Sequence, residues 1–323
     1  MCTLSVLNTV FGVVVSLLVL IAVGYIARKT RVLSKDGTQT LSKVMVNIAI
    51  PALILYSFTL HSFEGAGADT FWWMLGASVL YYAIGIGCAY AVPRLIGAST
   101  TESGIYSFIL MMSAAFFFGY PIISTLYGKE YLLEAAVFNI PYFLLGFSIG
   151  ILLLMRAQKT PGGNRVSLHN LANIPLAMSF IGFALFMSGV ISYIPPPVVA
   201  VAEDLGNMTI PLALIIAGSY MTEVTFSRML LNVRHYGIAS LRLCIIPVLL
   251  YGILRFMDAP PIVTAIAVIS AATPAAFQVI PLADTYGESP IIGTEIVCLT
   301  AVLSLITIPV LFIVGVVPCT VSM

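Results

Sequence analysis

Apolar residues gather along this chain into ten runs, each long enough to cross a hydrocarbon core of about 30 Å. They fall at 8–27, 41–60, 71–92, 104–126, 132–155, 170–191, 206–222, 236–254, 260–283 and 290–316. The polar breaks between them are short, and none could hold a folded soluble domain. The longest, Arg156 to Asn170, carries Lys159, Pro161, Gly162, Gly163 and Arg165. It reads as a cytoplasmic linker (156–169) between a first half, 1–155, and a second, 170–323. The pattern predicts an all-α polytopic membrane protein of ten transmembrane helices.

Composition strengthens this reading. Hydrophobic residues make up 60% of the chain and charged residues 8%, with a mean hydropathy of +1.08. Soluble domains carry about 25% charged residues to solvate an aqueous surface, so lipid must be part of this protein's solvent. The net charge of +1 leaves no basic footprint for nucleic acid. The cysteines (Cys2, Cys88, Cys244, Cys298, Cys319) form no CxxC pair, and His61, His169 and His235 form no ligand cluster. Neither a metal site nor a cofactor is expected.

Loop charge sets the expected orientation. The first run precedes Arg28, Lys29, Arg31 and Lys35, the order of an uncleaved span rather than a signal peptide. With the N-terminus outside, Lys43, Arg94, Arg156, Lys159, Arg165, Arg228 and Arg234 also fall on cytoplasmic loops, against Lys129 and Arg255 outside. This asymmetry predicts both termini outside. Arg242, near the inner end of the eighth span, is expected to snorkel inward.

The halves repeat one another. Asn47-Ile48-Ala49-Ile50-Pro51 is matched by Asn207-Met208-Thr209-Ile210-Pro211, displaced by 160, and Pro121 and Pro281 share that displacement. Tyr127-Gly128 and Tyr286-Gly287 are 159 apart. Five spans per half is an odd number, so the second half enters from the opposite side. This is the inverted repeat of secondary transporters.

Two spans carry the candidate chemistry. The fourth reads Ser113-Ala114-Ala115-Phe116-Phe117-Phe118-Gly119-Tyr120-Pro121, and the ninth Ser270-Ala271-Ala272-Thr273-Pro274-Ala275-Ala276-Phe277-Gln278. Small residues, hydroxyls and proline suit helices that unwind at mid-membrane and pass close to each other; one such span alone would read as a kinked packing helix. Ser113, Ala114, Gly119, Pro121, Thr273, Pro274 and Gln278 are therefore candidate substrate contacts. The mid-span amides of Asn47, Asn139 and Asn207 are further candidates, with interhelical packing as the alternative. Glu295, inside the tenth span, is the candidate coupling-ion site, with stabilisation of its helix N-terminus as the alternative.

These residues resemble the auxin efflux carrier family, which includes plant auxin exporters and bacterial permeases. The resemblance rests on Ile50-Pro51-Ala52-Leu53, Phe118-Gly119-Tyr120-Pro121, Tyr127-Gly128, Asn139 with Gly146, Asn173-Ile174-Pro175, Pro211-Leu212-Ala213-Leu214 with Gly218, Thr273-Pro274-Ala275, Tyr286-Gly287 and Thr307-Ile308-Pro309. It implies ten spans as two inverted five-helix repeats, broken crossing helices four and nine, a homodimer, and transport of small organic anions such as dicarboxylates or auxin-like acids. The family often places an asparagine shortly before the fourth-span Gly-x-Pro, where this chain has Ala114-Ala115. Either its ligand is less polar, or Asn139 and Gln278 supply the amides.

The expected function is a secondary carrier for a small organic anion in the plasma membrane, coupled to H+ or Na+ or driven by the anion's own gradient. A sodium-coupled carrier of the bile-acid-symporter type and a ligand sensor on the carrier fold are the alternatives. No Walker motif, HExxH, GxSxG or CxxC occurs, so neither direct ATP coupling nor an enzyme is expected.

Overall fold

The computed structural model describes residues 2–59, 68–128, 131–155, 173–286 and 289–317. The expected linker, 156–169, and Gly287 of the repeat lie outside the described residues. Thirteen helices follow one another among these: α1 (Cys2–Lys29), α2 (Lys35–Thr59), α3 (Ala68–Leu95), α4 (Thr100–Met111), α5 (Tyr120–Leu126), α6 (Leu132–Met155), α7 (Ile174–Met187), α8 (Pro196–Met221), α9 (Phe226–Leu231), α10 (Val233–Phe256), α11 (Pro261–Ala272), α12 (Val279–Thr285) and α13 (Pro290–Ile313). Seven of them (α1, α2, α3, α6, α8, α10 and α13) are long and apolar enough to cross a membrane. The fourth and ninth apolar runs, expected as broken helices, are pairs of half-helices, α4 with α5 and α11 with α12. The sixth is the shorter apolar helix α7.

Proline shapes these helices in a recurring way. Wide π-turns at Met45–Ala49, Ala115–Gly119 and Leu241–Ile245 each end two residues before a proline: Pro51, Pro121 and Pro247. A proline ring clashes with the carbonyl four residues back. Here those carbonyls belong to Asn47, Phe117 and Leu243, each inside the widened turn, which makes room without ending the helix.

Burial divides the molecule into a lipid-facing shell and a dense centre. On α1 the buried residues Val10, Val14, Leu17 and Ile21 form one stripe, while Phe11, Val15, Leu18 and Val19 are exposed. Exposed Trp72, Val79, Val201, Ile306 and Ile313 extend that apolar exterior to α3, α8 and α13. Such a surface is stable against acyl chains and not against water. The centre is α4, α11 and α12, where Ile105, Ile109, Ala265, Ile266, Val268 and Ile280 are fully buried.

Helix α1 and the second part of α8 meet without side chains between them. A methyl group at Gly24 would collide with the backbone of Ile215, and one at Gly218 with the backbone of Ile21 and Tyr25. Glycine at both positions is what allows the backbones to approach so closely. At the end of this contact Arg28 pairs with Glu223 at 3.3 Å.

A paired helix break as candidate functional site

The first half-helix has a defined start. Ser99 caps α4, accepting from the Glu102 amide while the Glu102 side chain accepts from the Ser99 amide, which satisfies two orphan donors reciprocally. The helix then runs to Met111, and Met112 turns extended (φ −107°, ψ 129°). In the ninth span Thr273 does the same (φ −68°, ψ 156°), because the ring of Pro274 disfavours helical backbone in the residue before it. Pro274 also cannot serve the Ser270 carbonyl four residues back. The Thr273 hydroxyl donates to it instead, at 2.9 Å.

The two breaks pair with each other. Ser113 and Ala275 form an antiparallel bridge. The Ala114 amide donates to the Pro274 carbonyl at 2.9 Å, and the Ala276 amide reaches the Met112 carbonyl at 3.4 Å. The Ala275 amide donates to Thr300 Oγ1 on α13, at 3.2 Å. Buried backbone groups released from a helix must find partners elsewhere, and here each break supplies them to the other. Alanine at 114, 115, 271, 272, 275 and 276 lets the extended segments approach. Gly119 continues the contact, since a methyl group there would lie 3.7 Å from Thr273 and 3.8 Å from Ser270.

The structure gathers Ser113, Ala114, Gly119, Thr273, Pro274 and Gln278 around this crossing, all buried. The Ser113 hydroxyl and Gln278 Oε1 have no hydrogen-bond partner among the described residues. Asn139 stands on α6, where its amide nitrogen donates to the Ala135 carbonyl at 2.8 Å and its Oδ1 has no hydrogen-bond partner among the described residues. With Ser57, Phe58, Phe116, Tyr120 and Ile140 it lines a narrow, mainly apolar cavity between α2, α6 and the π-turn after the fourth-span break.

Other expectations fall elsewhere. Pro121 does not make the fourth-span break, which lies at 112–114; it follows the widened turn Ala115–Gly119, which accepts its ring and runs directly into α5. Asn47 is exposed and donates back to the Lys43 carbonyl at 2.9 Å. Asn207 is exposed on an open groove that also contains Asn8. Neither amide lines the cavity beside the crossing.

Arg242 corrects the snorkelling expectation outright. Its residue is 0% exposed, its Nη1 donates to the Ala271 carbonyl at 2.9 Å, and its guanidinium carbon lies 5.7 Å from the centre of the Tyr81 ring. The side chain therefore turns into the protein, toward the end of α11. Its depth in an apolar span was the available signal, since intramembrane charges usually face a bundle interior.

Glu295 is 6% exposed and has His235 Nδ1 3.7 Å from its Oε2. Asn232 Oδ1 accepts from the Arg234 amide, which orients its amide nitrogen toward His235 Nε2 at 3.0 Å. Nε2 is then the acceptor, so the ring proton of a neutral His235 sits on Nδ1 and faces the carboxylate. Tyr106 packs edge-on against this ring. Its hydroxyl donates to Glu102 at 3.4 Å, and Glu102 pairs with Arg234 at 3.2 Å. Sequence spacing gave no sign that His235 and Glu295 meet.

A family model described as membrane transport protein matches residues 9–167 and 164–312. An uncharacterized transporter of Methanothermobacter thermautotrophicus is 24% identical over 298 residues, covering 92% of this chain and 95% of the relative.

Proposed function

The chain belongs to the membrane transport protein family, and on that premise we propose that it is a secondary transporter carrying a small organic anion across the plasma membrane by alternating access. The observation that carries this reading is the bond from Ala114 to Pro274. Their numbers differ by 160, the displacement that relates Pro51 to Pro211. Residues equivalent in two repeats meet where a pseudo-two-fold axis passes, as ten spans in two inverted five-helix halves would require.

Ser113, Ala114, Gly119, Thr273, Pro274, Gln278 and Asn139 form the proposed substrate site, with the anionic character taken from the family resemblance. Asn47 and Asn207 are left out of it. Glu295, faced by His235, is the proposed proton site, with Na+ as the alternative coupling ion. The loop charges support both termini outside, and the resemblance supports a homodimer.

Uptake into proteoliposomes tests the proposal. A panel of mono- and dicarboxylates, offered with and without H+ and Na+ gradients, should include at least one that accumulates only when the protein is present. A pH gradient should accelerate that uptake, and Glu295→Gln should remove the acceleration while leaving counterflow. Binding of an organic acid without counterflow would favour the sensor reading and sink the carrier.

A further inference from the structure

We infer that Arg242 is the anion-recognition residue of this protein and that it takes one carboxylate per ligand; this rests on the carrier reading for the ligand's class. Nη1 is engaged by Ala271, while Nε and Nη2, buried, have no hydrogen-bond partner among the described residues. Those two nitrogens form one edge of the guanidinium. Their N–H bonds run parallel at the spacing of the two oxygens of a carboxylate, the geometry of a bidentate pair.

Among the described residues the charge also has no carboxylate within ion-pair distance. The Lys and Arg ion pairs among the described residues are Arg28 with Glu223 and Arg234 with Glu102, and neither involves Arg242. Ala271 lies in the last turn of α11, whose carbonyl end carries partial negative charge. That contact orients the guanidinium and leaves most of its charge uncompensated. A buried cation is stable only when paired and hydrogen-bonded.

The surroundings suit an anionic ligand. The Tyr81 and Tyr82 hydroxyls are buried and have no hydrogen-bond partner among the described residues, which makes them donors within electrostatic range of the guanidinium. The Tyr81 ring packs on Phe138 at 5.5 Å, and Phe138 precedes the cavity-lining Asn139. The Tyr81 and Phe138 rings thus stand between Arg242 and the turn of α6 that carries the cavity-lining Ala136, Val137 and Asn139. Among the described residues Arg242 is the single Lys or Arg buried from solvent, which favours monocarboxylates over dicarboxylates.

Purified protein in detergent provides the test, read as thermal stabilisation by millimolar propionate, butyrate, benzoate, phenylacetate and 1-naphthoate. Each is run beside its primary amide, with succinate and chloride as further arms. At least one monocarboxylate should raise the melting temperature of the wild type while its amide and chloride do not. Arg242→Gln should weaken that apparent affinity at least tenfold. Arg242→Lys, which keeps the charge and loses the two-pronged edge, should restore only part of it. Should Arg242→Gln not yield monodisperse protein, Arg242→Lys and Tyr81→Phe carry the test, each expected to weaken binding severalfold. The inference is overturned if no monocarboxylate in the panel stabilises the wild type, if chloride does so equally well, or if folded Arg242 variants bind as the wild type does. Uptake of the same compounds separates the two claims. Carboxylate transport unaltered in Arg242→Lys and Arg242→Gln removes the arginine and leaves the carrier. Arginine-dependent binding without transport does the reverse.

Discussion

At 112–114 the chain leaves the helix without a proline or a glycine, whereas at 273–278 Pro274 sits inside the break. The ninth-span break is written into its own backbone. Pro274 forbids a donor, pushes Thr273 extended and frees a carbonyl that Thr273 then satisfies. Nothing comparable acts in the fourth span, where methionine and alanine are good helix formers. That break exists because the ninth-span backbone accepts and donates the bonds it loses. One crossing element is thus locally encoded and the other is held by its partner.

Ala114→Pro should disturb this relation most. It deletes the donor to the Pro274 carbonyl and sets a ring against it, while the backbone at Ala114 (φ −83°) is close to what proline adopts. Stability should fall by about 1–3 kcal/mol, the penalty of leaving a buried group unpaired, and proteoliposome uptake should be lost. Unchanged melting would mean that the fourth-span break holds itself open. Thr300→Val, nearly isosteric, should follow at about 1–2 kcal/mol, because it strands the buried Ala275 amide. Measured by thermal unfolding in detergent, an effect near zero would show that the amide has another acceptor. Pro274→Ala should do least, below about 1 kcal/mol. It keeps the carbonyl that Ala114 uses, and the fourth span already demonstrates a break without proline. A loss larger than that of Ala114→Pro would reverse the ranking and make the proline, not the bonds between breaks, the source of the crossing.

The sequence was informative where chemistry is local. Apolar runs announced the seven helices long enough to cross a membrane, and Ser113, Ala114, Thr273 and Pro274 announced the places where two further apolar stretches open. Pro121 misled because a proline marks a missing donor, and the widened turn before it absorbs that loss without opening the helix. The Asn47 and Asn207 pair misled differently. A repeat says that two positions are equivalent, not that they are central, and both amides lie on the exterior. Arg242, Thr300 and the meeting of His235 with Glu295 depend on how helices far apart in sequence are rotated against each other. No periodicity in a uniformly apolar span reports that rotation, since lipid and core are lined by the same residue types.

The contact between Gly24 and Gly218 has a mechanical consequence. With backbone resting on backbone, α1 and the second part of α8 have no layer of side chains that could repack as they slide. They are geared to move as one panel, although one belongs to the first half of the chain and the other to the second. A plane of relative motion therefore cannot follow the boundary between the halves. Any body that moves as a unit and contains one of them must contain the other, so that order along the chain and mechanical grouping are different partitions of the same helices.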